Sequence, residues 1–289
     1  MRSIVEMEYI QASPFSREQC DCVPMLAVCF DEFVEFRKRY GERFPFAEES
    51  FIARTADAVA GHTGVMPVQV CAGEGKVLKL GGIASVAVHP DFRRRGIAAD
   101  LCNMAAEWAD NSGYDMLPLY TGLNRVYESC GWQNYRMQSV TLINRSPVER
   151  KGRSGAELTA EEKEIIISCY EEMPEFPGKV IRTKDTYFHS WERMFNETFF
   201  TWYVGDDGYA LEYAGFVAEG TSASLCSGMK QAFLSPEDAL VEKLLACGWC
   251  IEKHNDNAPA CWNGENVMIR PCAGKELPSN IFFSLADKF

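Results

Sequence analysis

Apolar positions change period along the chain, and the changes divide it into elements. From Met25 to Tyr40 they fall at Leu26, Phe30, Phe33, Val34 and Phe36, with Asp31, Glu32 and Glu35 between them, the spacing of a helix. A strand is expected over Ala56 to Met66, then a hairpin of Val68 to Cys71 and Lys76 to Leu80 turned at Gly73-Glu-Gly75. The hairpin feeds an apolar, largely β-branched stretch, Ile83 to Val88, which His89-Pro90-Asp91 breaks. Helical spacing then returns through Ile97, Leu101, Met104, Ala105 and Trp108, predicting a helix from Ile97 to Asp110.

A polar stretch from Asn144 to Gly155, with Pro147 and two glycines, reads as a connection between two modules, 1–145 and 156–289, joined by 146–155. Thr159-Ala-Glu-Glu162 then has the capping-box pattern and opens a helix to about Glu171. Thr198 to Val204, Tyr209 to Glu219 and Ser222 to Phe233 read as three strands. Ser235-Pro-Glu-Asp238 starts a further helix, with Pro in its first turn, to about Ala246, and Val267 to Arg270 ends the module. Val126-Tyr-Glu-Ser-Cys-Gly-Trp132 and Lys243-Leu-Leu-Ala-Cys-Gly-Trp249 both close an apolar helix with Cys-Gly-Trp, so the halves read as an unequal repeat in which Leu244 stands where Tyr127 stands.

The break at residues 89–91 carries the chemistry. It sets Arg93, Arg94, Arg95 and Gly96 at the start of the predicted helix. A helix N-terminus offers unpaired N–H donors and roughly half a positive charge, so three cations there destabilise unless an anion sits among them. Gly96 and Ala98 let the backbone approach that anion closely, the arrangement of a phosphate site. Gly-x-x-x-x-Gly-Lys-Ser/Thr and strand-linked Gly-x-Gly-x-x-Gly are both missing from the sequence, which excludes those two phosphate motifs.

What remains, Arg93-Arg94-Arg95-Gly96-Ile97-Ala98, resembles the pyrophosphate loop of the GNAT superfamily of acyl-CoA-dependent N-acetyltransferases. The likeness extends from Gly81 through the block Leu119 to Trp132, which is similar to the family's Tyr-x-x-x-Gly-Phe/Trp segment. The resemblance implies a mixed central sheet flanked by helices, an α/β (α+β) GNAT fold, followed by a second, degenerate GNAT-like module. It implies acetyl-CoA as co-substrate, with Val86, Ala87 and Val88 holding the pantetheine arm and Arg93, Arg94, Arg95, Gly96, Ile97 and Ala98 the pyrophosphate. By the same likeness Tyr127 protonates the leaving thiolate, while Asn124 serves the cofactor or caps and orients its helix. Tyrosine suits that proton transfer, because its ordinary pKa near 10 keeps it protonated at neutral pH. The second module has no Arg-x-x-Gly-x-Ala, so it is expected to bind no acyl-CoA.

The two-module pattern resembles tandem-GNAT acetyltransferases, including the first two modules of the enhanced-intracellular-survival type. That likeness makes the terminal carboxylate of Phe289 a candidate base. An acyl-CoA-binding sensor without turnover is the alternative from another class.

Charge and cysteine content narrow the acceptor. Residues 1–150 hold 16 Lys+Arg against 19 Asp+Glu, whereas 151–289 hold 13 against 22. An acidic second half argues against nucleic acid and suits a small cationic amine as acceptor. Asp31, Glu35, Glu48 and Glu49 are substrate-side carboxylates in one reading and solvated charges in the other. No apolar run approaches the ~20 residues of a membrane span. The N-terminus has acids where a signal peptide has its apolar stretch, so a cytoplasmic protein without membrane contact is expected. The 12 cysteines then read as reduced thiols. Cys247, Cys250, His254, Cys261 and Cys272 could supply zinc ligands, but Cys247-Gly-Trp is better explained as a helix stop, and no metal is expected.

Overall fold

The computed structural model describes residues 6–31, 33–34, 49–182, 190–259, 261–262, 265–276, 278, 280–284 and 287. Its first half opens with β1 (Glu8–Ala12), α1 (Arg17–Cys20) and α2 (Val23–Cys29). Three antiparallel strands follow, β2 (Glu49–Arg54), β3 (Val59–Cys71) and β4 (Val77–Val88). After them come α3 (Ile97–Asn111), β5 (Met116–Thr121), α4 (Asn124–Glu128), β6 (Gln133–Asn134) and β7 (Arg136–Ile143). The second half holds α5 (Ala160–Glu172), α6 (Trp191–Asn196), β8 (Phe200–Gly205), β9 (Gly208–Tyr213), β10 (Phe216–Gly220) and β11 (Gln231–Leu234). It continues through α7 (Ala239–Ala246), β12 (Cys250–Pro259), β13 (Cys261–Trp262) and β14 (Glu265–Pro271).

Among the described residues the strands make two mixed sheets, flanked by helices. One runs β1-β2-β3-β4-β5-β14-β13, with β6 also on β14; the other runs β12-β7-β11-β10-β9-β8. Two strands thus cross over: β7 pairs with β11 and β12, and β14 pairs with β5. One face of the first sheet packs on α3 through Phe51, Val65, Ile83, Leu117 and Leu119 against Ile97, Leu101 and Ala105. Its other face shares a core with the second half, where Val68, Val70, Leu80 and Met116 join Ile166, Trp202, Tyr209 and Phe282. Gly61 sits under α3, because a Cβ there would lie 2.8 Å from Ile97 Cγ2.

Several expectations shift for physical reasons. The strand and hairpin arm expected on either side of Pro67 are one strand, β3; among the described residues Pro67 lies between Val65, the last β3 residue paired with β2, and Val70, which bridges to Val180, a gap in pairing on that side where Pro is tolerated. The expected strand Tyr209 to Glu219 is two, because Ala214 and Gly215 adopt left-handed φ of 51° and 86° and reverse the chain. The expected Ser222 to Phe233 strand is a 3-10 turn, Leu225–Gly228, followed by β11. Pro236 precedes its helix, which starts at Ala239 because Asp238 Oδ1 accepts from Leu240 N–H at 2.8 Å. The helix expected from Met25 is interrupted after Cys29, where Phe30 is extended, and its portion at residues 35–40 lies outside the described residues. The capping box holds: Thr159 Oγ1 accepts from Glu162 N–H, and Thr159 N–H donates to Glu162 at 2.9 Å.

Candidate active site

The site begins where two parallel strands part. Among the described residues β4 and β5 pair only at Leu80 and Met116, where Asp115 N–H also donates to the Lys79 carbonyl at 2.8 Å. Beyond that point they diverge, β4 toward Val88 and β5 toward Thr121. A bulge bends β4 at this split: between the pairs His62–Ala87 and Gly64–Ala84 it carries one residue more than β3, and Ser85 takes a left-handed φ of 51°. The split leaves one edge of β4, including Val86, Ala87 and Val88, without a strand neighbour among the described residues.

The arginine loop closes the open end of the split. A 3-10 turn, Pro90–Phe92, leads into it. Arg93 Nε donates to the Val88 carbonyl at 3.1 Å, and an Arg95 terminal nitrogen donates to the Asp91 carbonyl at 3.1 Å. Arg95 also lies over the Phe92 ring, 5.2 Å from its centroid. Arg93, Arg94 and Arg95 are exposed, and Arg94 and Gly96 have φ of 65° and 85°. Gly96 is the N-cap of α3, and no side chain caps the helix. Its first N–H groups are therefore without a capping side chain and directly follow three exposed arginines in the chain. Ile97 is buried against the sheet and Ala98 half-buried beside the opening. Asp100, in the first turn, accepts the Tyr9 hydroxyl at 2.8 Å; burial and this carboxylate push that hydroxyl up to about 12.

Tyr127 stands on α4 at the β5 side of the split. It is half-buried, with its ring edge-on to Trp132 at 6.4 Å. Burial raises its hydroxyl well above the ordinary tyrosine value, nearby Cys102 adds to the shift, and a hydrogen bond with Thr121, at the end of β5, works against it. Asn124 opens α4 but does not cap it, the N-cap position being Leu123. Its amide donates to Asn134 and accepts from Asn266, both at 3.0 Å, so its side chain ties α4 to β6 and β14. Phe289 lies outside the described residues.

The Cys-Gly-Trp turns match in their hydrogen bonds. Trp132 N–H donates to the Tyr127 carbonyl and Trp249 N–H to the Leu244 carbonyl, each at 3.1 Å, with Gly131 and Gly248 both at φ 89°. Leu244 and Tyr127 thus occupy the same place. The parallel pair β10 and β11 parallels β4 and β5, but the connection between them carries the short 3-10 turn in place of a helix like α3.

Two features were not drawn from the sequence. His62, buried on β3, donates from Nδ1 to the carbonyl of the bulged Ser85 at 2.9 Å, while its Nε2 lies 3.0 Å from Ser50 Oγ. Burial lowers its pKa to about 4. Its only sequence signal is a polar ring within the strand run Gly61-His-Thr-Gly64. Glu49 is not a solvated charge: it opens β2 as a buried residue and accepts from Gln11. Asp31 is exposed, and Glu35 and Glu48 lie outside the described residues. Cys250 starts β12 in one sheet while Cys272 is buried just past β14 of the other, and no metal-holding cluster of three or more such side chains occurs among the described residues. No helix among them is long and apolar enough to cross a membrane.

Residues 17–134 match the family model described as an acetyltransferase (GNAT) domain. No curated protein matches the chain at a significant level. Among solved structures, a GCN5-related N-acetyltransferase from Anabaena variabilis is similar at TM-score 0.57 and 16% identity, covering 92% of this chain and 73% of that one. Eis1 from Mycobacterium abscessus is similar at TM-score 0.55 and 14% identity, covering 92% and 74%. A protein from Enterococcus faecalis described as a probable N-acyltransferase is similar at TM-score 0.60 and 16% identity, covering 92% and 72%. At these identities the likeness is one of fold.

Proposed function

From a chain whose residues 17–134 match the model of an acetyltransferase (GNAT) domain, we propose an enzyme that transfers an acetyl group from acetyl-CoA to a primary amine of a small, cationic acceptor. The observation that carries the reading is the uncapped N-terminus of α3, preceded by exposed Arg93, Arg94 and Arg95, of which Arg93 bonds the Val88 carbonyl at the end of β4 beyond the β4–β5 split. These residues fit the group: Gly96 places no side chain before the helix amides, and a Cβ there would meet nothing closer than Asp100 Oδ2 at 4.0 Å. Acetyl-CoA, when bound, supplies the activated acyl group as a thioester.

The chain's own residues then divide the work. The arginines and the first amides of α3 bind the pyrophosphate by charge and hydrogen bonding. The open edge of β4 at Val86, Ala87 and Val88 orients the arm, and backbone amides near Val88 face the charge that develops on the carbonyl oxygen. Tyr127 holds at Oη the proton that the departing sulfur takes, and its raised pKa favours recovering a proton afterwards. Asn124 holds α4, and with it Tyr127, against β14. The acidity of residues 151–289 supports a cationic acceptor.

The test is CoA release over a panel of polyamines, aminoglycosides, amino acids and peptide N-termini, with wild type and Tyr127→Phe. The expected result is release with one cationic class and its loss in the variant. Tight acetyl-CoA binding with no release from any amine would instead identify an acyl-CoA-binding sensor.

A further inference from the structure

An unbroken run of hydrogen bonds crosses the buried side of the first sheet and ends on the β4 bulge. Phe15 N–H donates to Gln19 Oε1 at 2.9 Å, and Gln19 Nε2 donates to Ser50 Oγ at 3.0 Å. His62 Nε2 lies 3.0 Å from the same Oγ, and Nδ1 lies 2.9 Å from the Ser85 carbonyl. A carbonyl only accepts, so Nδ1 carries the hydrogen; a neutral ring then accepts at Nε2 the hydroxyl proton of Ser50. Every bond points the same way, from α1 to the bulge, an orientation in which each polarises the next. Both ends are non-glycine residues in left-handed conformation, Phe15 at φ 60° and Ser85 at φ 51°. Such strain persists only where surrounding structure holds it.

The bulge supplies the reason for the run. An extra residue in β4 withdraws the Ser85 carbonyl from the ladder with β3, and His62 gives that carbonyl a donor. With both ring nitrogens engaged, His62 is not placed for proton transfer. Ser85 stands immediately before Val86, Ala87 and Val88, the open edge of β4.

We infer that His62 is a positioning residue for acyl transfer: by holding the Ser85 carbonyl it fixes the β4 backbone amides against the thioester carbonyl. This rests on the acetyl-CoA reading above. It assigns the relay Gln19–Ser50–His62 to the acyl end of the cofactor and not to the pyrophosphate end, which α3 holds.

Asparagine and glutamine separate the two ring nitrogens, and the variants are His62→Asn and His62→Gln. In the first, the asparagine amide nitrogen retains a donor toward Ser85 in place of Nδ1; in the second, the glutamine amide reaches toward Ser50 and lacks that donor. Calorimetry measures CoA and acetyl-CoA affinity for each, and infrared difference spectra of acetyl-CoA isotope-labelled at the thioester carbonyl measure its polarisation. His62→Gln is expected to lose the carbonyl's shift on binding and to weaken acetyl-CoA about tenfold, the scale of one misplaced hydrogen bond, while CoA affinity changes less than about threefold. His62→Asn is expected to restore both. Equal weakening of CoA and acetyl-CoA, or a carbonyl shift unchanged in His62→Gln, overturns the inference while leaving the acetyl-CoA reading standing. Failure of wild type to bind either ligand overturns both.

Discussion

Replacing Gly96 by alanine separates the geometry of the arginine loop from its charge. Gly96 has φ 85°, and its nearest neighbour would lie 4.0 Å from an added Cβ, so the whole cost is in the backbone. A non-glycine residue held in that region costs roughly 1–2 kcal/mol. At about 2–4 °C per kcal/mol for a chain of this size, the melting temperature should fall by about 2–8 °C. Gly248 provides the control, because it has φ 89°, meets nothing within 4 Å, and closes the equivalent of α4 in the half that lacks the arginine loop. Gly248→Ala should therefore cost the same stability. The two variants part company in acetyl-CoA affinity: relaxation of Gly96→Ala toward right-handed φ turns the first α3 amides away, and one lost hydrogen bond to a charged phosphate is worth about 1.5–3 kcal/mol, or roughly 10- to 150-fold. Thermal melts and calorimetric titration with acetyl-CoA are the assays. If both variants bind acetyl-CoA within about threefold of wild type, the α3 N-terminus is not the phosphate site.

Tyr127→Phe should lower kcat by roughly 10²- to 10⁴-fold with acetyl-CoA affinity unchanged, as stopped-flow CoA release and calorimetry would report. Because the folded pKa of Tyr127 is raised, its acid form persists as pH rises, so the wild-type rate should show no alkaline fall from this group below pH ~10. His62 has a folded pKa of about 4 against 6.5 unfolded, so the unfolded chain binds the extra proton; this contribution is present above pH 6.5 and is lost as pH falls toward 4, by about 3 kcal/mol. Burial pushes Asp238 up to about 6, which gives a slope of the opposite sign over part of that window, so the measurement is the difference in denaturation midpoints between wild type and His62→Gln. Arg182 is buried, bonding Glu219 at 2.8 Å and Asp287 at 3.0 Å; Arg182→Leu strands both carboxylates and should cost about 3–5 kcal/mol in urea unfolding.

The legible parts of the fold were local. His89-Pro-Asp ends β4 and Gly96 starts α3 through the properties of neighbouring residues, so both boundaries followed from residue type. The equivalence of Tyr127 and Leu244 followed from Cys-Gly-Trp, because a left-handed glycine imposes the same hydrogen bonds on whatever helix it ends. The relay was hidden because its members are 31, 12 and 23 residues apart and nothing in a strand's period marks a partner at that distance. Nor does an apolar alternation name its sheet: the pattern of Arg136 to Ile143 suits either one, and only pairing with β11 and β12 decides it. The break at Ala214-Gly215 was missed because β-propensity is high on both sides of it.

The exchange of β7 and β14 bears on how the chain acquires its site during synthesis. β5 has β14 as its neighbour away from β4, and Asn266 of β14 fixes Asn124 at the base of the Tyr127 helix. The arginine loop and Tyr127 leave the ribosome more than a hundred residues before that strand does. A nascent chain ending before residue 265 thus exposes the edge of β5, and the site can be completed only after the chain has been made through β14. Pulse-labelled nascent chains of increasing length should become resistant to protease over residues 116–134 in one step, after β14 emerges and not when the first half is complete.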